Sequence, residues 1–277
     1  MLRGFYTATA GMLSQQKRAE MLSNNIANAN TPGYKSDQSA IRAFPEMLLS
    51  RMESDSMPIK NGQSFGINSP LGSLNTGAYI QELIPQFTQG DLRETSLPSD
   101  VALVEGIIPF NNETNLKGVL LFPVETQNGE QRYTRNGTFT LDNNGILTSN
   151  GNTVLSTTGN PISIQSNDYQ ITAEGNVIVG GENVGQIDVR FEGDVRNLVK
   201  EGNGLYHTAN EAVLPSAINN GEIQYNLRQG FVEGSNVDVS RTYTDMMTAY
   251  RAFEANQKVL QAYDRSMEKA ANEIGRL

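Results

Sequence analysis

Apolar residues near the start of the chain recur every seven positions. The repeating positions are Phe5, Met12, Ala19 and Ile26, and Leu22 widens the line they form. A seven-residue apolar repeat is typical of a helix that packs along another helix. The run 30–33, Asn-Thr-Pro-Gly, predicts the end of this helix and a type II turn, because proline cannot continue a helix.

The end of the chain shows the same repeat without a break. The repeating positions are Val239, Met246, Phe253, Leu260, Met267 and Ile274, and Tyr243 and Tyr250 lie on one flank of that line. Asn236 or Asp238 is placed to cap the start of this second helix. At 1.5 Å per residue the two helices would be roughly 45 and 57 Å long, whereas a compact domain of about 150 residues is roughly 35–40 Å across. An amphipathic helix usually covers the domain of its own chain, here the β domain. The length of these two helices instead favours helices that pair as a coiled coil and contact neighbouring copies.

Between residues 76 and 232 the apolar period changes to two. Residues 138–141 and 146–148 flank the turn sequence Asp-Asn-Asn-Gly, and residues 171–173 and 177–179 flank Glu-Gly-Asn, so that each set predicts a β-hairpin. Further predicted strands cover 119–124, 153–155, 162–164 and 187–191. Short strands separated by regular turn signals are typical of an antiparallel all-β domain.

These patterns predict a mainly β protein with long terminal α-helices, in four segments. Residues 1–33 form the N-terminal helix, 34–75 an extended, irregular connector, 76–232 an antiparallel β domain and 233–277 the C-terminal helix. Within the connector, residues 45–52 form a short amphipathic piece that predicts two helical turns, with Pro45 at the first helical position.

Composition argues against an enzyme and against a nucleic-acid partner. The 277 residues carry a formal charge of −9, concentrated in the middle of the chain, with no basic stripe that would neutralise phosphates. There is no cysteine and only one histidine, His207, for which a structural role is expected because no triad partners are recognisable. The turn at Asp142 lacks the acidic ligands of a calcium loop. We therefore predict no catalytic residue, no cofactor and no metal site.

The N-terminus lacks the features of a cleaved Sec signal peptide, and no apolar run approaches the ~18 residues of a membrane span. We therefore expect no membrane insertion.

Two segments resemble the terminal signatures of the bacterial flagellar axial proteins. Residues 22–35, LSNNIANANTPGYK, resemble the N-terminal signature, and residues 230–239, GFVEGSNVDV, resemble the segment before the C-terminal helix. The signature positions are Asn24, Asn25, Ala27, Asn28, Thr31, Pro32, Gly33, Tyr34, Ser235, Asn236 and Val237. Residues 248–260, 87–92, 97–103 and 133–142 are also similar to rod and hook proteins. After Leu103 the chain departs from the family pattern, which predicts an altered edge of the β domain over residues 104–118.

The resemblance implies a structural subunit of the basal-body rod, of the distal-rod type, with a hook or junction protein as the alternative. It further implies terminal helices that polymerise into a helical tube, with the β domain as its outer layer. Other rod and hook proteins would be partners, and export through the flagellar type III apparatus would place the chain outside the cytoplasm. A wall hydrolase on a β scaffold is a remote alternative, because no acidic pair is recognisable. For the asparagines near residue 25, turn formation and hydrogen bonding between subunits remain equally open.

Overall fold

The structure, a computed structural model, describes residues 2–52, 68–111, 116–166 and 168–274. It divides into two compact units. One unit, called the helical unit here, comprises residues 1–23, 39–83 and 240–277. The other, the β unit, comprises residues 24–38 and 84–239.

Two long helices, α1 (Leu2–Ala27) and α2 (Val239–Lys269), lie near the ends of the chain, and α2 continues into a π-helical turn, Ala270–Ile274. Nineteen strands occur in the described residues. They are β1 (Asp37–Ala43), β2 (Met47–Met52), β3 (Asn68–Leu74), β4 (Ala78–Pro85), β5 (Leu92–Glu94), β6 (Val101–Glu105), β7 (Val119–Glu125), β8 (Gln131–Thr134), β9 (Phe139–Leu141), β10 (Leu147–Ser149), β11 (Asn152–Val154), β12 (Tyr169–Ile171), β13 (Asn176–Val179), β14 (Glu182–Gln186), β15 (Arg190–Glu192), β16 (Leu198–Lys200), β17 (Leu205–Thr208), β18 (Tyr225–Gln229) and β19 (Phe231–Glu233). The expected mainly β protein with a helix towards each end is confirmed.

The two helices pack against each other in opposite directions within the helical unit. Gly4 of α1 lies against the ring of Tyr263, and a Cβ atom added to Gly11 would stand 3.2 Å from Nδ2 of Asn256. Because the contacts on α2 move towards its start as those on α1 move towards its end, the helices are antiparallel. A side chain at Gly4 would overlap Tyr263, so the glycine permits the close approach.

In the described residues, the chain that follows α1 contains paired strands. β1 pairs with β4, and β2 pairs with β3 from Met47 opposite Leu74 to Met52 opposite Asn68. The helical turns predicted for residues 45–52 are therefore wrong, because pairing along a whole strand outweighs a weak local helical preference. The predicted connector 34–75 contains β1, β2 and β3, and its residues 39–75 group with the two helices.

The β unit is organised around one antiparallel sheet. Its strand order is β16-β17-β8-β7-β11-β10-β9, and β15 also pairs with β7. Smaller sheets, β12-β13-β14, β18-β6 and β19-β5, complete the unit. Both predicted hairpins are confirmed. Leu147 lies opposite Leu141 in one and Ile171 opposite Val177 in the other. The first turn is closed by the Asp142 carboxylate, which accepts hydrogen bonds from the backbone N–H groups of Asn144 and Ile146.

Strand β7 separates two apolar cores. Its side chains alternate in direction, so that Leu120 and Phe122 face the larger core while Val119 and Leu121 face the smaller one. All four side chains are fully buried. A strand that is covered on both faces has apolar residues at nearly every position, and residues 119–124 form such an apolar run in the sequence. Residues 162–164, predicted as a strand, form only an isolated bridge, between Ser163 and Ile146.

Candidate functional site: a clasp between the two signature segments

The N-terminal signature ends in a turn that contacts the other signature segment directly. The Tyr34 amide donates to the Thr31 carbonyl, and Gly33 has φ +68, which together make the expected type II turn. The Gly33 amide then donates to the Glu233 carbonyl at 2.8 Å. A Cβ atom on Gly33 would stand 2.6 Å from the carbonyl carbon and oxygen of Arg135, so only glycine fits here.

Asn236 makes the second connection. Its Oδ1 accepts from the Ser36 amide at 2.8 Å, while its Nδ2 donates to the Gln86 carbonyl at 2.6 Å and to Thr88 Oγ1 at 2.9 Å. Asn236 therefore joins three separate segments of the chain. Asn236 and Asp238 are the two predicted candidates for the cap of the second helix, and Asn236 is not that cap. We call the contacts between residues 33–36 and 233–236 the clasp. Ser235 and Val237 flank Asn236, and Ser235 Oγ accepts from the Val237 amide.

A buried ion pair lies at the centre of the clasp. Lys35 Nζ is 2.6 Å from Glu233 Oε1, and Arg135 Nε is 2.6 Å from Glu233 Oε2. The Gly90 amide also donates to Glu233 Oε1, at 2.9 Å. The side chains of Lys35 and Arg135 are 0% exposed and that of Glu233 is 2% exposed, so this carboxylate is bound by two cations without access to water.

The ion pairs continue away from the clasp. Arg135 Nη2 is 3.0 Å from Glu105 Oε1, and Glu105 Oε2 is 2.7 Å from Lys117 Nζ. The remaining Arg135 donors bind the carbonyls of Leu120 and Leu103 at 2.6 and 3.1 Å. Arg135 thus contacts the clasp, β6 and β7 together.

The charges along this chain are unequal, with three cations and two carboxylates. Lys117 is 40% exposed and keeps water contact, whereas Lys35 and Arg135 are fully buried. Burial, reinforced by the charge of Arg135, lowers the pKa of Lys35 to about 8, and Glu233 only partly opposes this. For Glu233, burial alone would raise the pKa, but the charges of Arg135 and Lys35 outweigh it and hold the pKa below its usual value.

The asparagine cluster bonds within its own chain. Asn25 is buried, its Nδ2 donates to the Asp37 carbonyl at 2.9 Å, and its Oδ1 accepts from the Asp37 amide at 3.0 Å. The Tyr34 hydroxyl lies 2.9 Å from Asn24 Oδ1 and 3.0 Å from Asn25 Oδ1. Asn28 Nδ2 donates to Asn24 Oδ1 at 3.1 Å, and Thr31 Oγ1 donates to Asn28 Oδ1 at 3.2 Å. These bonds give the cluster a role in forming the turn.

Lys200 covers the outer face of Tyr34. Its Nζ is 4.1 Å from the ring centroid and 2.9 Å from Asp37 Oδ2. Burial first, and then the Asp37 charge, raise the pKa of the Tyr34 hydroxyl, so the phenol stays protonated and remains a donor. Pro32 is half-buried in the turn, whereas Ala27 at the end of α1 is exposed.

The residues predicted for helix packing fall into three groups. Ala19 and Leu22 are buried. The half-buried group is Phe5, Met12, Ile26, Met246, Phe253 and Leu260. The exposed group is Val239, Tyr243, Tyr250 and Met267. Ile274 lies in the π-helical turn. Ala249, which the sequence analysis does not single out, is the buried residue of α2.

The sole histidine of the sequence and the acidic side chains of the described residues form no group that could hold a metal ion. His207 lies in β17, with Nδ1 2.9 Å from Glu201 Oε1. Within residues 2–52, 68–111, 116–166 and 168–274, no three acidic or histidine side chains group as metal ligands would. In the same part of the chain, no helix is long and apolar enough to cross a membrane.

Sequence reasoning did not identify the clasp ions. Each of the three clasp ions, Lys35, Arg135 and Glu233, falls inside a segment that resembles the flagellar proteins. These residues are far apart along the chain, so the sequence does not indicate that they are in contact. The available signal was a charged residue inside an otherwise apolar or Gly/Asn-rich motif, as in Tyr133-Thr134-Arg135-Asn136-Gly137. A lone charge in such a setting is rarely buried unless it is paired.

Comparison with known proteins identifies the same segments. Residues 5–35 match the model described as flagella basal body rod protein, residues 116–179 match the flagellar hook protein FlgE/F/G D1 domain, and residues 228–273 match the flagellar basal body rod FlgEFG protein C-terminal model. Each of the three matched regions supplies one of the residues Lys35, Arg135 and Glu233.

Relatives match along the whole chain. The flagellar hook-basal body complex protein FlhO of Bacillus subtilis (strain 168) is 54% identical over 277 residues, covering 100% of both chains. The flagellar basal-body rod protein FlgG of Agrobacterium fabrum (strain C58 / ATCC 33970) is 30% identical over 95% of this chain and 96% of its own. FlgG of Bacillus subtilis (strain 168) is 28% identical over 98% of this chain and 99% of its own. On this evidence, the chain belongs to the flagellar basal-body rod and hook protein family.

Proposed function

We propose that this protein is a subunit of the flagellar basal-body rod that polymerises through its helical unit into a helical tube. Its family consists of structural, non-enzymatic flagellar components. We assign α1 and α2, paired antiparallel as a short coiled coil, to the wall of this tube.

The observation that carries the proposal is the uneven distribution of apolar side chains between the two units. Of the 35 buried hydrophobic residues in the described chain, 30 lie in the β unit and only five in the helical unit. Of the 20 exposed large hydrophobic residues, 12 lie in the helical unit. The β unit therefore has a core sufficient for its own stability, whereas the helical unit leaves apolar surface that neighbouring subunits would cover.

The charges divide along the same boundary. The β unit carries nine basic and twenty acidic residues, for a net charge of −11, whereas the helical unit has twelve basic and ten acidic residues, for a net charge of +2. Strong like charge favours separation of β units in solution, and a nearly neutral helical unit allows close packing. This division supports a tube whose contacts are made by the helical units.

The family supports a proposal for the partners and location of the chain. The relatives are named as basal-body rod proteins and hook-basal body complex proteins. We infer that the chain assembles with copies of itself and with other rod and hook proteins in the flagellum, and that the type III export apparatus carries it out of the cytoplasm. A hook or junction subunit is the second candidate, because the relative at 54% identity is named after the hook-basal body complex as a whole.

Deletions at the unit boundaries test the proposal. Removing residues 2–23 or residues 240–277 should abolish rod assembly and motility, while the β unit keeps its circular-dichroism spectrum because the clasp remains. Electron microscopy of labelled basal bodies should place the intact protein in the rod. Rods and swimming in cells that express either deletion would refute the proposal, and label on the hook would favour the second candidate.

Hydrogen exchange on the dilute protein supplies an independent test. Amides of α2 should exchange faster than those of β7 by orders of magnitude, because α2 is largely exposed and β7 is covered on both faces. Equal protection of the two elements would contradict a helical unit that needs neighbours.

A further inference from the structure

An open polar cleft lies within the β unit, beside the turn of the N-terminal signature. It encloses about 660 Å³, which falls in the range of ~300–1,000 Å³ typical of sites for small ligands. The lining comes from the segments 24–34 and 200–204 and from Asn136 and Asn150, all of them in the β unit. None of the clasp ions lines the cleft, so it is a separate feature of this unit.

Side-chain amides dominate the lining. Five asparagines contribute to it, namely Asn24, Asn28, Asn136, Asn150 and Asn203. Asn136 is only 8% exposed, and its Oδ1 accepts from the Thr138 amide at 2.9 Å. Its Nδ2 makes no hydrogen bond to any of the described residues. An amide donor on a buried side chain is rarely left without a partner, so this Nδ2 indicates a position for a ligand atom.

Three further asparagines present unused donors. Asn24 accepts at Oδ1 from Tyr34 and Asn28, while its Nδ2 bonds no described residue. Asn150 and Asn203 make no side-chain hydrogen bond to the described part of the chain, so each offers both a donor and an acceptor. Their backbones are fixed in the left-handed region, at φ +50 and +61. The cleft therefore presents four free amide donors from an ordered backbone.

The charged side chains of the lining are already paired. Lys200 Nζ is 2.9 Å from Asp37 Oδ2, and both carboxylate oxygens of Glu201 accept from Arg132 Nε, at 2.9 and 3.0 Å. Free N–H donors do not suit a metal cation, which needs oxygen ligands. The net charge of −11 on the β unit disfavours an anion. The ligand that fits this cleft is therefore uncharged.

The apolar surface of the cleft is small. It comes from Pro32 and Tyr34, and Lys200 covers the Tyr34 ring, with Nζ 4.1 Å from the ring centroid. An amphipathic helix needs a continuous apolar groove, and an extended peptide is usually bound by a strand edge with pockets for its side chains. Hydroxyl groups, by contrast, donate and accept as side-chain amides do. The half-buried ring of Pro32 is an apolar surface of the size of one face of a sugar ring.

We propose that this cleft binds an uncharged carbohydrate chain, whose hydroxyl groups bond to the amides of Asn136, Asn150 and Asn203. The β unit thereby has a ligand of its own. The inference involves residues of the β unit only and does not depend on polymerisation through the helical unit.

Nuclear magnetic resonance of the dilute full chain, labelled with nitrogen-15, tests the site. Cellotetraose, chitotetraose and maltotetraose, three uncharged tetrasaccharides, are titrated separately to about 10 mM. At least one should shift the side-chain amide signals of Asn136, Asn150 and Asn203, with a Kd of about 1 mM or tighter. Signals that stay in place with all three probes would overturn the proposal. So would equal shifts with a capped, uncharged peptide of serine, because the cleft would then not distinguish sugars from peptides.

Two glycine substitutions remove amides without disturbing the turns. Asn150→Gly and Asn203→Gly preserve backbones at positive φ, which glycine adopts freely. Each variant should weaken tetrasaccharide binding about fivefold, and the double variant about twentyfold, because each loses a hydrogen bond to the ligand. The matched control is Asn219→Gly, at φ +63 but outside the cleft, which should leave the Kd unchanged. Unchanged binding by the double variant, or an equal loss in the control, would refute the assigned site.

Discussion

Replacing Glu233 by glutamine should strongly destabilise the β unit. The substitution preserves the size of the side chain but leaves Lys35 and Arg135, both fully buried, facing a neutral amide. Breaking a buried ion pair by removing one partner costs about 3–5 kcal/mol, because the other charge stays buried without compensation. Lys35 loses its carboxylate partner and Arg135 loses one of its two, so we expect a loss of about 3–5 kcal/mol, a large share of the ~5–15 kcal/mol by which a domain is stable.

Urea unfolding followed by far-ultraviolet circular dichroism measures this loss. With a slope of about 2 kcal/mol per M, the midpoint should fall by about 2 M. The matched control is Glu130→Gln. Glu130 also pairs with an arginine, Arg132 at 2.8 Å, but it is 57% exposed. Exposed pairs contribute about 0–1 kcal/mol, so its midpoint should move by less than ~0.5 M. Equal shifts for the two variants would show that the clasp ions do not stabilise the β unit.

Three further results follow from the clasp and the turn beside it. Gly33→Ala should lower the unfolding free energy by at least about 3 kcal/mol, because its Cβ would overlap the Arg135 backbone, whereas Gly129→Ala, with a similar φ of +80 and no atom nearby, should lose about 1 kcal/mol. Similar losses in the same urea titration would contradict the close approach. The depressed pKa of Lys35, about 8 against 10.5, means that the unfolded chain binds more protons between these pH values. Stability due to this group should therefore rise by up to about 3 kcal/mol from pH 8 to 10.5, and a pH series in urea should lose that rise in Lys35→Met. Lys35→Met combined with Glu233→Gln should be less destabilised than the sum of the single variants, because Lys35→Met removes the cation that Glu233→Gln leaves without a carboxylate partner. Additive losses would mean that the two side chains do not interact.

Local patterns predicted the parts of the fold that local forces decide. Pro32-Gly33 specifies a type II turn because proline fixes φ at the first central position and glycine accepts the positive φ at the second. In the hairpin turn 142–145, the Asp142 carboxylate binds the backbone and Gly145 takes the positive φ. The seven-residue repeat on α2 agrees with burial only in its middle, where Met246, Phe253 and Leu260 are half-buried, whereas Val239 and Met267 are exposed.

Long-range pairing decided the parts that the sequence did not predict. Residues 45–52 are amphipathic enough for a helix, and only the presence of β3 some twenty residues later makes them a strand. Arg135 and Glu233 are 98 residues apart, so no periodicity within either segment can indicate their contact. The boundary between the units lies at other residues than the segment boundaries predicted from the sequence. Residues 24–38 group with the β unit, which contains the clasp, although residues 24–27 still belong to α1.

The clasp has a mechanical consequence. The β unit begins at residue 24 and ends at residue 239, and the backbone bond from Gly33 to Glu233, the bond from Ser36 to Asn236 and the Lys35–Glu233 ion pair tie these two ends together. Tension that pulls the two ends apart therefore loads these short cross-ties first, and Arg135 passes part of the load on Glu233 to β6 and β7. In a shaft under torque, these ties would hold the two ends of the β unit together, and the two ion pairs of Glu233 would be among the first contacts to carry load.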